Sequence, residues 1–304
     1  MLRFVEKDLG LCLAGKRLVV AYSGGADSTA LLLACRYLAP KAGFSLHAAH
    51  LNHQLRPSAA AEAAACENFC RALGLSLSTG RADVAGERGN DGAGLEEAAR
   101  NARYAFLERT RSEQGADAVA TGHNNNDLAE DILMRLIRGA GWPGLAGMPA
   151  WAPERKLFRP LLLTPRKAIE DFLSGLTPAL AHDESNEDDR FFRNRVRRRL
   201  LPAILKENPS FLENAAGLWR LGGIDARYFD ALLDRAGQNA SSGSPEKAAF
   251  TANGGQAITL PRSLLGTMPK ALRLRLYKRC LAALGPGQAR LDGLLALDAA
   301  FVAS

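Results

Sequence analysis

The 304-residue sequence lacks paired cysteines, long apolar runs and the most widespread phosphate-binding signature, Gly-Lys-Ser/Thr. Its five cysteines, Cys12, Cys35, Cys66, Cys70 and Cys280, are odd in number and contain no Cys-x-x-Cys pair. They sit mostly within apolar patterns and read as reduced packing residues of a cytoplasmic protein. No apolar stretch approaches the roughly 20 residues needed to span a bilayer, and the N-terminus lacks the order of a signal peptide. A soluble chain with no membrane partner is expected. There is no Gly-Lys-Ser/Thr of a P-loop kinase or GTPase, and the glycine-bearing turn after the first apolar run is not a GxGxxG dinucleotide fingerprint. No internal repeat is visible.

Hydrophobic residues make up 47% of the chain, enough for a real core, and the length predicts two domains. The net charge of +7 comes from arginine-rich patches and points to a polyanionic partner, with nucleic acid the leading candidate.

Between the apolar runs Leu18 to Ala21 and Thr29 to Leu33 lies Ser23-Gly24-Gly25-Ala26-Asp27-Ser28. A strand that turns directly into a helix aims unpaired backbone N–H groups and the positive end of the helix dipole at one point, where an anion belongs. Gly24 and Gly25 permit conformations and approaches that a Cβ would forbid, and Ser23 and Ser28 can add hydroxyl donors. Asp27 would repel bound phosphate unless a divalent cation lay between them, so the loop calls for Mg²⁺ with nucleotide. Met alone, such a cluster is a turn with Asp27 or Ser28 as an N-cap. The hexapeptide resembles the SGGxDS signature of the PP-loop ATP pyrophosphatases, which split ATP between its α and β phosphates and adenylate an acceptor oxygen.

Periodicity and breakers predict strands at 17–22, 44–51, 75–79 and 116–121, and helices at 27–38, after Pro57-Ser58, at 94–111 and at 126–138, with Pro40 and Gly43 breaking the chain. Such alternation is that of an α/β fold, a doubly wound parallel sheet whose ligand sits at the carboxyl ends of the strands where their order reverses. Three motif-bearing turns fall there. Beside the first, His50-Leu51-Asn52-His53-Gln54-Leu55-Arg56 lacks the further ligands of a zinc site and is read as a nucleotide contact through His50. Thr121-Gly122-His123-Asn124-Asn125-Asn126-Asp127 opens a helix, with Asn126 or Asp127 as its expected N-cap and Glu130 one turn beyond Asp127. His123, Asp127 and Glu130 could reach a cation or nucleotide.

Further motifs follow in order: Ala99 to Tyr104, Arg138-Gly139-Ala140-Gly141, Gly144 to Met148, Arg159-Pro160-Leu161-Leu162, Asp183-Glu184-Ser185-Asn186 and Phe192 to Arg197. With the hexapeptide they resemble the bacterial tRNA(Ile)-lysidine synthases over residues 15–210. That resemblance implies a PP-loop, adenine nucleotide alpha hydrolase-like fold. It also implies adenylation by ATP of C2 of the wobble cytidine in tRNA(Ile) with a CAU anticodon, followed by displacement of AMP by the ε-amine of free L-lysine. It implies an ATP site formed by the loop Ser23 to Ser28 together with Ala21, His50, Arg100, Gly122 and His123. Catalytic roles fall to Asp27, Arg103, Asp127, Glu130, Arg193 and Arg197. Asp27 and Asp127 are the expected Mg²⁺ ligands, and Arg100 or Arg103 can face phosphate. Lysine must attack as a neutral amine although its unperturbed pKa is about 10.4, so an acid must first hold the ammonium. Asp127 and Glu130 are the candidates for that as well as for metal.

Gln54 stands where the family often has glycine, Asn126 where it usually has aspartate, and Asn124 and Asp131 where histidine and threonine are common. Six arginines lie between residues 190 and 199 with Phe191 and Phe192 interleaved, an arrangement suited to phosphate, although the preceding acids Glu187 to Asp189 could pair with them on a solvated helix.

A division is expected after residue 208, giving a catalytic domain at 1–208 and a small, mostly helical, tRNA-contacting domain at 209–304. Leucines 264, 265, 272, 274, 276, 281, 284, 291, 294 and 295 are read as the smaller domain's core. By resemblance the chain is a short form without the additional C-terminal domain of longer relatives, and a homodimer is left open. Two other functional classes are weighed, a tRNA-thiolating PP-loop enzyme and a non-catalytic nucleotide- or tRNA-binding paralogue. The lack of Cys-x-x-Cys counts against the first, and the intact loop with Asp27 against the second.

Overall fold

Leu18, Val19 and Val20 are buried on both faces of their strand, as the middle of a helix-covered parallel sheet requires. They form β1 (Arg17–Ala21), which pairs in parallel with β2 (Ser45–Asn52) and with β4 (Ala118–Ala120). β3 (Leu77–Arg81) extends the sheet beyond β2, while β6 (Leu157–Phe158) pairs in parallel with β4 and β5 (Trp151–Ala152) antiparallel with β6. The order is β3-β2-β1-β4-β6-β5, so the winding reverses between β1 and β4. β5 and β6 were not foreseen. At two residues each they carry no readable period, and their pairing is fixed by the neighbouring strand instead.

The computed structural model describes residues 1–52, 59–82, 92–176, 191–241, 258–285 and 289–303. These fall into two compact units, Met1–Ala140 with Gly147–Trp219, and Gly141–Ala146 with Arg220–Ser304. In the first, α1 (Ala26–Ala42), α2 (Ala59–Ala72) and α5 (Arg166–Ser174) supply Leu31, Leu32, Cys66, Cys70, Ile169 and Leu173 to one sheet face, against Leu18 and Val20. α3 (Gly92–Glu113) covers the other face, where Phe106 and Leu107 meet Val19 and Val119. The strand period of two thus splits β1 between two cores. α1 passes through Pro40, contrary to the expected break. Pro40 removes the N–H that would bond the Arg36 carbonyl, but burial of Ala39 and packing of Leu38 and Ala42 against the core carry the helix past it, and Gly43, at φ +68°, ends it by donating its N–H to Ala39.

α4 (Asn125–Ile137) buries Leu128, Ala129, Ile132 and Leu133 against Val196 and Leu201. Those two belong to a continuous helical stretch of α6 (Phe192–Arg195), a π-helical turn (Val196–Leu200) and α7 (Leu201–Glu207). α8 (Phe211–Ser241) begins in the first unit and ends in the second.

The second unit adds α9 (Arg262–Thr267), α10 (Lys270–Leu284) and α11 (Leu291–Ala303) around Leu233, Leu265, Met268, Leu276, Tyr277, Cys280 and Leu294. Leu281, Leu291 and Leu295, expected in this core, are exposed. Asp298 is buried there and accepts from Arg273 Nε at 2.6 Å and Nη2 at 3.1 Å. Among the described residues no helix is long and apolar enough to cross a membrane. All five cysteines are free, and burial pushes the Cys35 and Cys66 thiols up to about 12, which keeps them protonated and inert.

Candidate active site

The winding reversal places the ends of β1 and β4 side by side, and the two motif-bearing turns that follow them meet there. Gly24, at φ +83°, turns the chain from β1 into α1. Gly25 is the N-cap, and no side chain caps the helix, so its first turn presents backbone donors. Ser28 shapes this loop from within: its Oγ accepts from Ser23 N at 3.1 Å and donates to the Gly25 carbonyl at 3.0 Å. Ser23 Oγ lies 3.1 Å from Ser28 Oγ, and Thr29 Oγ1 donates to Gly25 O at 2.9 Å.

Gly122 holds the second turn against the first. A Cβ at Gly122 would stand 2.9 Å from the Asp27 carbonyl oxygen and 3.1 Å from the Ser28 nitrogen. Gly122→Ala is therefore expected to push the first turn of α1 away from β4, destabilising the fold by about 1–3 kcal/mol and lowering ATP turnover at least tenfold, on the order of 1.4 kcal/mol in the barrier. Denaturant melts and initial rates on the purified variant check this.

Asn124, rather than Asn126 or Asp127, is the N-cap of α4. Its Oδ1 accepts from the backbone N–H groups of Asn126 at 2.9 Å and Asp127 at 3.2 Å, while Asp127 Oδ2 accepts from Asn124 N at 2.9 Å, a reciprocal capping box. The same Asn124 donates through Nδ2 to Asp27 Oδ1 at 2.9 Å and so ties the two loops together. Burial and the neighbouring charge of Asp127 raise the Asp27 pKa above its ordinary value.

Asp127 and Glu130 face Arg193 and Arg197, one helical turn apart on the opposite helix. Asp127 Oδ1 accepts from Arg193 Nη2 at 2.8 Å and Arg197 Nη2 at 3.0 Å. Glu130, only 1% exposed, accepts from Arg193 Nε at 2.9 Å and from Arg197 Nε at 2.6 Å, each at a different oxygen. Burial would raise the Asp127 pKa, but Arg193 and its other neighbours bring it below the ordinary value. Arg193 and Arg197 thus turn inward to acids, while Arg198 and Arg199 lie on the exposed side. Arg195 and Arg138 both stand over the Phe192 ring, at 5.6 and 5.4 Å.

His50 is buried, and its Nδ1 donates to the Tyr22 carbonyl at 3.0 Å in the tautomer that leaves Nε2 as an acceptor. His123 Nδ1 lies 2.9 Å from Thr121 Oγ1, and burial, reinforced by Arg159, Arg193 and Arg103, holds this imidazole well below its ordinary range and neutral at pH 7. Arg100 and Arg103 project from α3 beside the Tyr104 ring. Ala21 ends β1 opposite Ala49, and Ala26 begins α1. His53, Gln54, Arg56 and the motif Asp183 to Asn186 lie outside the described residues.

Residues 2–204 match a PP-loop domain. A tRNA(Ile)-lysidine synthase of Nitratidesulfovibrio vulgaris is 46% identical over 291 residues, 94% of this chain and 84% of that one. The chain belongs to the tRNA(Ile)-lysidine synthase family. Another member, from Salinispora tropica, is 38% identical over 90% of this chain and 86% of its own. The fold extends further, to the U34-tRNA thiolase NcsA of Methanococcus maripaludis with its [4Fe-4S] cluster, at a TM-score of 0.59 and 20% identity over 72% of this chain and 76% of that one.

Within this lysidine synthase family member, Asn126 turns toward α5, where its Oδ1 is 3.4 Å from the Arg166 backbone nitrogen. A carboxylate could accept that bond equally well. Asn126→Asp is expected to keep turnover and the lysine KM within about threefold of the wild type, less than 1 kcal/mol, as steady-state kinetics would read.

Proposed function

We propose that this chain makes lysidine: it adenylates C2 of the wobble cytidine of tRNA(Ile) with ATP, releases pyrophosphate, and joins the ε-amine of free lysine to that carbon with loss of AMP. The observation that carries the reading is the meeting of Asp27, Asn124 and Asp127 at an uncapped helix N-terminus, in a chain 46% identical to a lysidine synthase. Phosphates would lie against the first turn of α1, where backbone donors and the dipole stabilise the charge that develops on the α-phosphate and the leaving pyrophosphate.

Two carboxylates facing one anion fit Mg²⁺, which binds through one or two carboxylates together with substrate phosphates. The raised pKa of Asp27 beside Asp127 has the same sense, since a cation would relieve their repulsion. Asp27 and Asp127 would hold the ion, which when bound neutralises phosphate charge. Arg193 and Arg197, oriented by Glu130, would stand beside the anionic intermediates. Neutral His123 would offer a ring nitrogen to nucleotide without adding charge, and His50 would face it from a ring held by the Tyr22 carbonyl.

The thiolase reading finds no support in the donor set. Four cysteines are buried, and among the described residues no three His, Cys, Asp or Glu side chains gather as metal ligands. The test is incubation with unmodified tRNA(Ile), ATP, Mg²⁺ and lysine, followed by mass analysis of the wobble nucleoside. A lysine-sized increase is expected, and pyrophosphate release without that increase would assign a different nucleophile.

A further inference from the structure

Asn124 bonds both acids of the candidate cation site at once. Its side-chain Nδ2 donates to Asp27 Oδ1 at 2.9 Å, and its backbone N–H donates to Asp127 Oδ2 at 2.9 Å. The residue is only 1% exposed, and its Oδ1 is committed to the backbone N–H groups of Asn126 and Asp127, at 2.9 and 3.2 Å. The amide is therefore held by the start of α4, and the hydrogen bond it gives Asp27 has a fixed direction.

The acids differ in what remains to them. Asp127 and Glu130 face the guanidinium groups of Arg193 and Arg197, two charges against two, and Asp127 accepts from Asn124 N as well. Arg166, whose charge reaches Asp27, is paired with Glu170 at 3.0 Å. Among the described residues the hydrogen bond from Asn124 is the one that fixes the Asp27 carboxylate, and it engages Oδ1, leaving Oδ2 open to a cation. The same bond favours the charged form of Asp27, against the burial and the Asp127 charge that oppose it.

We infer that Asn124 is a positioning residue for the metal: it fixes the spacing of the Asp27 and Asp127 carboxylates and, by engaging Asp27 Oδ1, leaves Oδ2 as the oxygen that takes the cation. The inference rests on the reading of Asp27 and Asp127 as Mg²⁺ ligands. Mg²⁺ tolerates little departure from octahedral geometry, so a carboxylate free to turn binds it less well than one already oriented.

The test separates the two tasks of this one side chain. In Asn124→Ser the hydroxyl can still cap α4, since serine and asparagine are comparable N-caps, but it is one atom shorter and has no amide to give Asp27. Asn124→Ala loses both the cap and the link. Mn²⁺ serves as the probe, its binding to the purified protein read by electron paramagnetic resonance in the presence of an ATP analogue with a methylene bridge between the α and β phosphorus atoms. Asn124→Ser should melt within about 3 °C of the wild type. Its Mn²⁺ dissociation constant, and the Mg²⁺ concentration that half-saturates pyrophosphate release, should each rise about 10- to 100-fold. Asn124→Ala should melt earlier yet bind Mn²⁺ no more weakly than Asn124→Ser. Adding Asn124→Ser to Asp27→Asn should weaken Mn²⁺ binding no further, because the carboxylate to be oriented is already gone. Mn²⁺ affinity that follows melting temperature, near wild type in Asn124→Ser and low only in Asn124→Ala, would overturn the inference and leave Asn124 a helix cap. An equal loss from Asn124→Ser with and without the Asp27 carboxylate would overturn it too. A wild-type nucleotide complex that binds no Mn²⁺ would fail the metal reading itself, before any variant is compared.

Discussion

Asp27→Asn is expected to lose tRNA-dependent pyrophosphate release by on the order of 10³-fold while melting no earlier than the wild type. Both halves follow from one geometry. The Asp27 carboxylate is held by Asn124 at 2.9 Å, and an asparagine of the same shape keeps that contact while removing the charge a cation would need. Burial and Asp127 raise the Asp27 pKa in the folded protein, so the native state binds this proton more tightly than the unfolded chain. Its stabilising effect is therefore complete below the unfolded value of 3.8 and lost as pH rises through the raised folded value. At pH 7 the ionised group is a burden, accepted for function. The variant should flatten the stability profile above pH 4 and retain tRNA affinity, as thermal melts across pH and filter binding would show. Full pyrophosphate release by the variant would remove Asp27 from the metal site.

Glu130→Ala is expected to cost about 3–5 kcal/mol of stability and to abolish turnover, because it strips a shared carboxylate from two guanidinium groups that remain largely buried. Asp127 would still hold both, through one oxygen. Glu130→Gln keeps an acceptor at the same place and should lose less stability than Glu130→Ala, with turnover still impaired because Arg193 and Arg197 lose their alignment. Urea unfolding of the three proteins measures the order. Acid acts on the same cluster. The pKa of Asp127 is depressed despite burial, so its contribution is present above the unfolded value of 3.8 and is lost as pH falls through the folded one. Unfolding in acid should therefore steepen below pH 4 in the wild type. A Glu130→Ala variant as stable as the wild type would show that the arginines are held by other contacts.

The phosphate-binding loop and the parallel sheet were legible because each imposes its own local demand. Gly24 and Ser28 must stand at fixed places between a strand and a helix, and apolar runs such as Leu18 to Val20 accompany burial on both sheet faces. β5 and β6 were not legible, since two-residue strands take their conformation from β4 and from each other. Pro40 misled because tertiary packing of Leu38, Ala39 and Ala42 carries the helix past it, which the local sequence does not show. Arg193 and Arg197 could be placed one turn apart but not oriented, as their partners lie more than sixty residues earlier in the chain. Asn124 did leave a signal, an acceptor three residues before Asp127 at the spacing of a capping box, and it is the residue through which Asp27 and α4 communicate. Arg159 belongs to the run Arg159-Pro160-Leu161-Leu162, and nothing in the sequence said that its guanidinium would be buried.

On the proposed function, the loop from Ser23 to Ser28, with Asp27 and Asp127, performs the first half-reaction on tRNA before the amine takes part. Rapid quenching with enzyme in stoichiometric excess over unmodified tRNA(Ile), in ATP and Mg²⁺, first without and then with lysine, tests it most directly. Pyrophosphate should appear in one burst equal to the tRNA present, with AMP retained on the nucleic acid until lysine is added and released then. Pyrophosphate that appears only after lysine is added, or AMP and pyrophosphate released together without it, would contradict the order of steps and the role assigned to the loop.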